Sequence, residues 1–296
     1  MNILVTGANG FVGHWIVNVL KRKYYMIGSG TKRTATYDES LDEYIPWDLG
    51  HEPVPEILSE QKIDIIVHCA ASKDMNDQSE SLIYANCMGT YRIFQLAVTC
   101  RCKKIIFISS LPVIGIPMDG IIDDSGEMNP QSVYHATKAA GELILNQAGR
   151  YGTEVINLRV PSPIGPDMPV KSIVPIFVNK ALDGEEIIIA GKGTRRQNYI
   201  DVRDLGYVAG ELLEHNGCSG TFNIGARKTI SNIELARLCV KLTESKSDIK
   251  FADREDPADG QDWSIDDRRL RSIVGEYQRH SIEDSILDIA RYLRNQ

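Results

Sequence analysis

Residues 6–13, TGANGFVG, decide the fold of this chain. The apolar run ILVT leads into them, and WIVNVLKRK follows with apolar residues at helical spacing, which together indicate strand, tight turn and helix. Gly7, Gly10 and Gly13 let the backbone turn tightly, let a pyrophosphate approach the helix N-terminus and let the helix pack on the strand. A tight turn without a ligand is the alternative. Because the triplet follows the first strand of an α/β pattern, we predict a nucleotide site.

Buried apolar runs recur along the chain at roughly even spacing, separated by segments with helical patterning. The runs are YMIG (25–28), IDIIVHCA (63–70), KKIIFIS (103–109) and EVINLRV (154–160). Such alternation is typical of parallel βαβ units with right-handed crossovers. We therefore predict an α/β fold with a Rossmann-type, doubly wound parallel sheet.

The pattern loosens after Arg159, where PSPIGPDMP is rich in proline and glycine. Helical patterns at 231–243 and 281–293 need not join the sheet, so we predict a smaller, partly interleaved C-terminal part. The predicted dinucleotide-binding domain comprises 1–162 and 191–226, and the predicted substrate-binding part comprises 163–190 and 227–296. The charged stretch at 253–262 is expected to be a loop, with a substrate lid as the alternative.

Composition and charge exclude several classes of protein. The 296 residues are 43% hydrophobic and 25% charged, and the net charge of −7 argues against a nucleic-acid binder, whose footprint would be basic. The six cysteines form no CxxC pair and no Cys/His ligand spacing, so we expect neither a disulfide nor a metal. No signal-peptide pattern and no apolar run of about 18 residues occurs, which predicts no membrane partner and a cytoplasmic location.

The segment after the second strand bears on the cofactor. An NAD site usually places an acidic residue there for the ribose 2′-hydroxyl, but this chain has Lys32 and Arg33. A cationic pair suits a 2′-phosphate, so NADP(H) is favoured and NAD(H) is the alternative. A basic loop exposed to water is the other interpretation of the pair.

The stretch YHATK (134–138) places a tyrosine and a lysine four residues apart. In a helix, Tyr134 and Lys138 would be neighbours on one face. The spacing allows a phenol and an ammonium to act together in proton transfer. It equally allows two polar residues on a solvated helix face.

TGxxGxxG followed by YxxxK resembles the short-chain dehydrogenase/reductase superfamily, and the longer chain resembles its extended branch, which handles nucleotide-activated sugars. Further stretches resemble that branch in the same order: HCAASK (68–73), NCMGT (86–90), SSLPVIG (109–115), LRVPSPIGP (158–166) and GKGTRRQNYIDVRD (191–204). The last is similar to the pattern GDGxxxRDFIxVxD. The resemblance implies cofactor contacts at Gly7, Asn9, Gly10, Phe11, Val12, Gly13, Asp48, Leu49, Ala70, Ala71, Lys73, Tyr134, Lys138 and Pro161.

The resemblance also implies a catalytic set. Tyr134 takes the position of the general acid/base, and Ser110 that of the residue that hydrogen-bonds the substrate oxygen. Lys138 takes the position of the lysine that holds the nicotinamide ribose and lowers the pKa of the tyrosine, since an unperturbed phenol titrates near ~10. We expect His68 to be a packed histidine at a strand end and not a catalyst.

Substrate contacts follow from the same resemblance. Arg196 aligns with an arginine that contacts the substrate diphosphate, and Arg195 is the adjacent alternative. Ser162 stands where many relatives carry asparagine as a substrate contact. The segment ADREDPADGQDW is faintly similar to the family's RPGD motif, with Asp259 as its acidic member.

The leading functional hypothesis is a reductase in which NADPH reduces a 4-keto-6-deoxy sugar carried on a nucleotide. A nucleotide-sugar 4-epimerase with bound NAD is the alternative, and a non-catalytic cofactor-binding regulator is a third. Leu111 and Pro112 occupy the places where 4,6-dehydratases carry an Asp-Glu pair, which argues against dehydration. From the resemblance we expect a homodimer formed through helices at 82–100 and 134–149.

Overall fold

The protein is described by a computed structural model over residues 1–37, 40–74, 78–116 and 120–296. Its strands are β1 (Asn2–Thr6), β2 (Tyr25–Gly30), β3 (Glu43–Pro46), β4 (Ile65–His68), β5 (Lys104–Ser110), β6 (Glu154–Val160), β7 (Ser162–Ile164), β8 (Ile187–Ile189), β9 (Arg196–Gln197), β10 (Tyr199–Asp201), β11 (Gly220–Asn223), β12 (Ile230–Ser231) and β13 (Ile249–Phe251).

The α-helices are α1 (Phe11–Leu20), α2 (Glu56–Glu60), α3 (Glu80–Leu82), α4 (Gly89–Cys100), α5 (Val133–Asn146), α6 (Ile173–Asp183), α7 (Val202–Glu214), α8 (Asn232–Leu242), α9 (Arg268–Val274) and α10 (Ile282–Arg294). A π-helical segment (Ile83–Met88) joins α3 to α4. Short 3₁₀ segments follow β5 (Leu111–Ile114) and α5 (Gln147–Tyr151).

Seven parallel strands form the central sheet in the order β3-β2-β1-β4-β5-β6-β11. Every residue of β4 and β5 is buried, because helices cover both faces of the sheet, as parallel sheets require. One apolar core lies between the sheet and α1 and α7, and the other lies between the sheet and α2, α4 and α5. The predicted Rossmann-type α/β fold is thereby confirmed, and EVINLRV is β6 with the predicted bounds.

A third core lies in the C-terminal part, among α6, α8 and α10 and the two-stranded pair of β8 and β13. The helices predicted at 231–243 and 281–293 are α8 and α10, and each begins with a serine capping box. Leu270, Val274 and Tyr277, which were assigned to the substrate-binding part, pack in the core of the large sheet instead. The other domain limits stay a prediction.

In the described ranges no helix combines the length and apolar character that crossing a membrane requires.

Candidate active site

The glycine turn between β1 and α1 forms a concave backbone surface, here called the cradle, that would be blocked if its glycines carried side chains. Gly7 has φ +69°, and a Cβ atom there would lie 2.8 Å from the Ala70 backbone. A Cβ atom at Gly13 would lie 2.2 Å from the Gly7 carbonyl oxygen. The first turn of α1 holds no acidic residue and its N-cap, Gly10, contributes no side chain, so the positive end of the helix faces the cradle. These residues fit a dinucleotide pyrophosphate.

The residues predicted to bind the cofactor follow neighbouring strands at the carboxyl edge of the sheet. Along this edge lie Asp48 and Leu49 after β3, Lys32 and Arg33 after β2, the glycine turn after β1, Ala70, Ala71 and Lys73 after β4, and Pro161 after β6. In open parallel sheets, ligands bind at this edge. Their roles toward a cofactor stay predictions.

Asn9 fastens the basic loop after β2. Its amide accepts a hydrogen bond from the Thr36 backbone (2.7 Å) and donates to the hydroxyl of Tyr44 (2.8 Å). The Lys32 ammonium donates to the hydroxyl of Thr36 at 3.2 Å, and Arg33 is exposed. The loop is therefore held at the carboxyl end of β2 with its cations toward solvent.

A cleft of about 450 Å³ opens beside this edge. Five predicted site residues line it together: Lys73, Ser110, Tyr134, Pro161 and Ser162. Its other walls are Asp74, Pro112, Ser132, His135, Arg195, Gln197, Asn198 and Trp263. A volume of this size is typical of small-molecule sites.

Helix α5 presents Tyr134 and Lys138. It begins after Ser132, whose hydroxyl accepts the His135 backbone N–H, and this cap places Tyr134 in the first turn beside the cleft. Lys138, buried one turn later, donates to the Ile108 carbonyl at 2.8 Å. The strand end therefore supplies Ser110 and also anchors the lysine.

The pKa values of this pair differ from expectation. Burial raises the pKa of Tyr134 to about 12, and burial together with the ammonium of Lys73 lowers the pKa of Lys138 to about 7. The prediction that Lys138 lowers the pKa of Tyr134 is wrong in this structure. Loss of water disfavours the charged form of each group, completely for the buried Lys138 and in part for Tyr134, which is half-buried at the wall of the cleft.

Asn86, in the π-helical segment, ties the turn after β4 to α5. Its side-chain oxygen accepts the Ser72 backbone N–H (2.7 Å), while its nitrogen donates to the Ser72 carbonyl (3.0 Å) and to the Thr137 hydroxyl (2.9 Å). These bonds hold the turn near the first turns of α5.

His68 is a packed histidine, as predicted, because it is fully buried between the hydroxyls of Thr6 and Thr90.

Arg196 does not reach the cleft, contrary to prediction. Its guanidinium donates to Thr229 and to the Glu234 carboxylate (2.9 Å). Arg195 and Gln197 line the cleft, because successive side chains of an extended segment point to opposite faces. Matched residue by residue, GDGxxxRDFIxVxD also places its arginine at Gln197, so the alignment to Arg196 was one residue out of register.

Asp259, predicted to contact the substrate, instead binds a backbone turn. Its carboxylate accepts the backbone N–H groups of Lys192 (2.6 Å) and Thr194 (3.0 Å). These bonds lower the pKa of Asp259 and fasten the turn at 191–194. Asp259 is not among the residues that line the cleft.

Several polar cleft residues were missed by sequence reasoning. Asp74 follows HCAASK directly, and His135 lies inside YHATK, so both had a positional signal. No sequence motif pointed to Trp263. It reaches the cleft because its loop lies beside the segment at 195–198, where the Trp263 backbone N–H donates to the Arg196 carbonyl. No cluster of three or more His, Cys, Asp or Glu side chains suited to a metal occurs within the described part of the chain.

Comparisons with known proteins agree with this geometry. A family sequence model, the NAD dependent epimerase/dehydratase family, matches residues 3–225. The chain is 26% identical to dTDP-glucose 4,6-dehydratase of Streptomyces niveus, over 100% of this chain and 93% of that protein. It is 28% identical to a trifunctional UDP-glucose 4,6-dehydratase/UDP-4-keto-6-deoxy-D-glucose 3,5-epimerase/UDP-4-keto-L-rhamnose-reductase of Arabidopsis thaliana, over 96% of this chain but 46% of that protein.

Solved structures share the fold. UDP-glucuronic acid 4-epimerase from Bacillus cereus, solved with UDP-glucuronic acid and NAD, superimposes with a TM-score of 0.87 at 20% identity, covering 100% of this chain and 99% of that chain. The family model spans most of the chain, including the glycine turn, Ser110 and the YHATK helix. The chain therefore belongs to the NAD dependent epimerase/dehydratase family of extended short-chain dehydrogenases/reductases.

Proposed function

We propose that the protein is an NAD(P)-dependent oxidoreductase of nucleotide-activated sugars, and that its net reaction is reduction of a 4-keto-6-deoxy sugar by NADPH. The observation that carries the proposal is the convergence of Ser110 and Tyr134 on one cleft, with Lys138 one helical turn behind. The names of the two relatives given above, both nucleotide-sugar enzymes, support the substrate class.

The chain's residues suit the two halves of such a reaction. Bound NADPH would supply the hydride. The glycine turn would hold the pyrophosphate, Lys32 and Arg33 the 2′-phosphate, and Lys138 the nicotinamide ribose. Ser110 would donate a hydrogen bond to the sugar oxygen and stabilise negative charge as it develops there.

The protonation state of Tyr134 suits the reductive step. With its pKa raised to about 12 by burial, the phenol keeps its proton at neutral pH and can donate it to the sugar oxygen. A reductase needs this proton donation in its single step, and an epimerase needs it in the second half of its reaction.

A nucleotide-sugar 4-epimerase is the second candidate. The solved epimerase from Bacillus cereus carries NAD, and the name of the family refers to NAD. In this alternative the chain would hold NAD, and Tyr134 would first accept the hydroxyl proton and later return it. The cations of the basic loop leave room for NAD, since Lys32 and Arg33 face solvent.

Dehydration is disfavoured although both relatives named above carry 4,6-dehydratase in their names. Elimination of water needs a second acid and base near the reacting carbon. Leu111 is fully buried and Pro112 lines the cleft directly beside Ser110, and neither side chain can transfer a proton. Asp74 and His135 lie on the cleft wall, but they occupy different positions from the dehydratase pair.

A homodimer in the cytoplasm remains part of the proposal. Exposed apolar side chains on the two segments expected to form the dimer support it. They include Tyr84 (41% exposed), Met88 (39%), Tyr91 (42%) and Leu143 (57%). A second copy would bury this surface.

The test is turnover of a panel of nucleotide sugars and 4-keto sugars with NADPH and NADH, followed by absorbance at the nicotinamide band and by product mass. The proposal expects stoichiometric NADPH consumption with a 4-keto substrate. Tightly bound NAD⁺, with interconversion of 4-epimers and no consumption of added NADPH, would establish the epimerase. Tyr134→Phe should lower turnover by about 10²- to 10⁴-fold while NADPH still binds. Unchanged turnover would refute the acid/base assignment.

A further inference from the structure

We propose that Glu142 is a positioning residue that, with Ser109 and Arg159, locks the strand carrying Ser110 against the helix carrying Tyr134 and Lys138, and so fixes the charge and place of Lys138. The role of Lys138 at the nicotinamide ribose rests on the function proposed above. The lock itself is independent of which sugar is the substrate.

Glu142 is the centre of a buried polar cluster behind the cleft. Its side chain has no exposed surface, and Arg159 is 3% exposed. The guanidinium of Arg159 donates from Nε to one carboxylate oxygen (3.0 Å) and from Nη2 to the other (2.9 Å). The Ser109 hydroxyl donates to the first oxygen at 2.5 Å. Three charge-assisted hydrogen bonds thus converge on one carboxylate.

The partners come from adjacent strands at the same level. Ser109 of β5 and Arg159 of β6 are register neighbours in the parallel sheet, so their side chains share a face. Glu142 reaches both from α5, which packs on that face. One carboxylate therefore ties a helix to two strands just before both strands deliver residues to the cleft: Ser110 follows Ser109, and Pro161 follows Arg159 by two positions.

The spacing along α5 links this cluster to catalysis. Tyr134, Lys138 and Glu142 lie at i, i+4 and i+8, which places them along one stripe of the helix. Two consecutive residues of β5 bond to this stripe: the Ile108 carbonyl accepts from Lys138, and the Ser109 hydroxyl donates to Glu142. The next residue is Ser110, whose position relative to Tyr134 is set by these two bonds.

A buried ion pair is not needed for stability alone. Replacing such a pair by apolar residues of similar volume is often neutral or stabilising, because the desolvation penalty disappears. An apolar pair would still pack α5 on the sheet. It would not supply a fixed negative charge one turn from Lys138, and this difference separates a positioning role from a packing role.

The charges that act on Lys138 come from three elements. Lys73, after β4, disfavours its ammonium, while Glu142 on α5 favours it. His68 and Cys69, at the end of β4, are neutral at physiological pH because burial lowers the pKa of His68 to about 3 and raises the pKa of Cys69 to about 12. Tyr134 is neutral for the same reason. Glu142 therefore opposes Lys73, and the cation bound to its carboxylate is Arg159 of β6.

The experiment compares three variants by NMR titration of [¹³Cε]lysine-labelled protein, with the Lys138 signal assigned by its loss in K138M. Glu142→Gln removes the charge and keeps the shape. The double variant E142L/R159M replaces the pair by apolar side chains. The control is Glu154→Gln, because Glu154 and Lys104 form the register pair at the opposite end of the same two strands, 3.4 Å apart. Thermal stability and NADPH affinity, from fluorescence quenching, are measured alongside.

In E142Q the midpoint of the Lys138 titration should fall by roughly half a pH unit to one unit, and in E142L/R159M it should fall by less, because the guanidinium bound to the carboxylate is removed with it. NADPH affinity at pH 8 should fall several-fold in both variants and less at pH 6, while E154Q matches the wild type. The double variant should keep a melting temperature close to that of the wild type. Because the titration needs no turnover, it reports on Glu142 even if no nucleotide sugar proves to be a substrate.

Two results would overturn the proposal. One is an unchanged Lys138 titration and unchanged NADPH affinity in a folded E142Q and a folded E142L/R159M, which would make Glu142 a packing residue only. The other is failure of both variants to fold, which would mean that the pair is required for folding itself and not for positioning.

Discussion

Two adjacent arginines on one short extended segment are expected to differ in their roles. Arg195 lines the cleft, and among the described residues its buried Nε has no hydrogen-bond partner. Arg196 lies on the other face and is bound to Thr229 and Glu234. We predict that Arg195→Ala weakens binding of the nucleoside diphosphate moiety, whereas Arg196→Ala lowers stability and leaves binding intact.

The magnitudes follow from the contacts. A hydrogen bond to a charged group contributes about 1.5–3 kcal/mol, so R195A should raise the KM for a nucleotide sugar by about 10- to 150-fold. The Arg196–Glu234 pair is partly exposed, at 36% and 48%, and such pairs contribute about 0.2–1 kcal/mol. R196A should therefore lower the melting temperature by only a few degrees.

The assay is isothermal titration with UDP and dTDP, because it needs no knowledge of the sugar, followed by kcat and KM once a substrate is known. Arg195→Lys keeps the charge without the planar fork and should lie between wild type and R195A. If R196A weakens UDP and dTDP binding as much as R195A does, the assignment of the two faces is wrong.

Three further outcomes are expected. Gly13→Ala should lose most NADPH affinity, because the new Cβ would lie 2.2 Å from a backbone oxygen. The matched control is Gly149→Ala, where the new Cβ would have no atom within 4 Å, and both variants are measured in a thermal-shift assay with and without NADPH. Equal NADPH-induced shifts in the two variants would contradict the role of the cradle. Burial and Lys73 lower the pKa of Lys138 to about 7, below the 10.5 of an exposed lysine. Between about pH 7 and 10 the unfolded chain therefore binds more protons than the folded protein. The free energy of unfolding should rise with pH over this range, by up to about 1.4 kcal/mol per pH unit. Urea unfolding should show this slope in the wild type and not in K138M; an equal slope in both would refute it. Leu143→Glu should give a monomer in sedimentation velocity, whereas Leu287→Glu, at an exposed position on α10, should not; a dimer that survives L143E would place the interface elsewhere.

The parts of the fold that the sequence predicted well depend on neighbouring residues in the chain. Each buried strand carries its own apolar run, and the conflict between a side chain at Gly13 and the Gly7 carbonyl arises within one turn. Tyr134 and Lys138 are neighbours by helix geometry alone. Such features require no knowledge of distant segments.

The errors have a common physical origin in contacts between distant segments. In an extended segment a shift of one residue reverses the face, so two consecutive arginines cannot be told apart until β9 is paired with β12. Asp259 was matched to a motif, but its carboxylate is taken by a turn more than sixty residues earlier. The pKa of Tyr134 depends on how completely tertiary packing excludes water, which spacing does not encode.

The π-helical segment (Ile83–Met88) places a constraint on how this chain can vary. An α-helix advances by about 100° per residue, so deleting Met88 to restore regular α-helix would rotate Asn86 by that angle relative to α4. Asn86 would then face away from Ser72 and Thr137, and the turn after β4 would lose its attachment to α5. Residue types can change on the exposed side of this helix, but the number of its residues cannot.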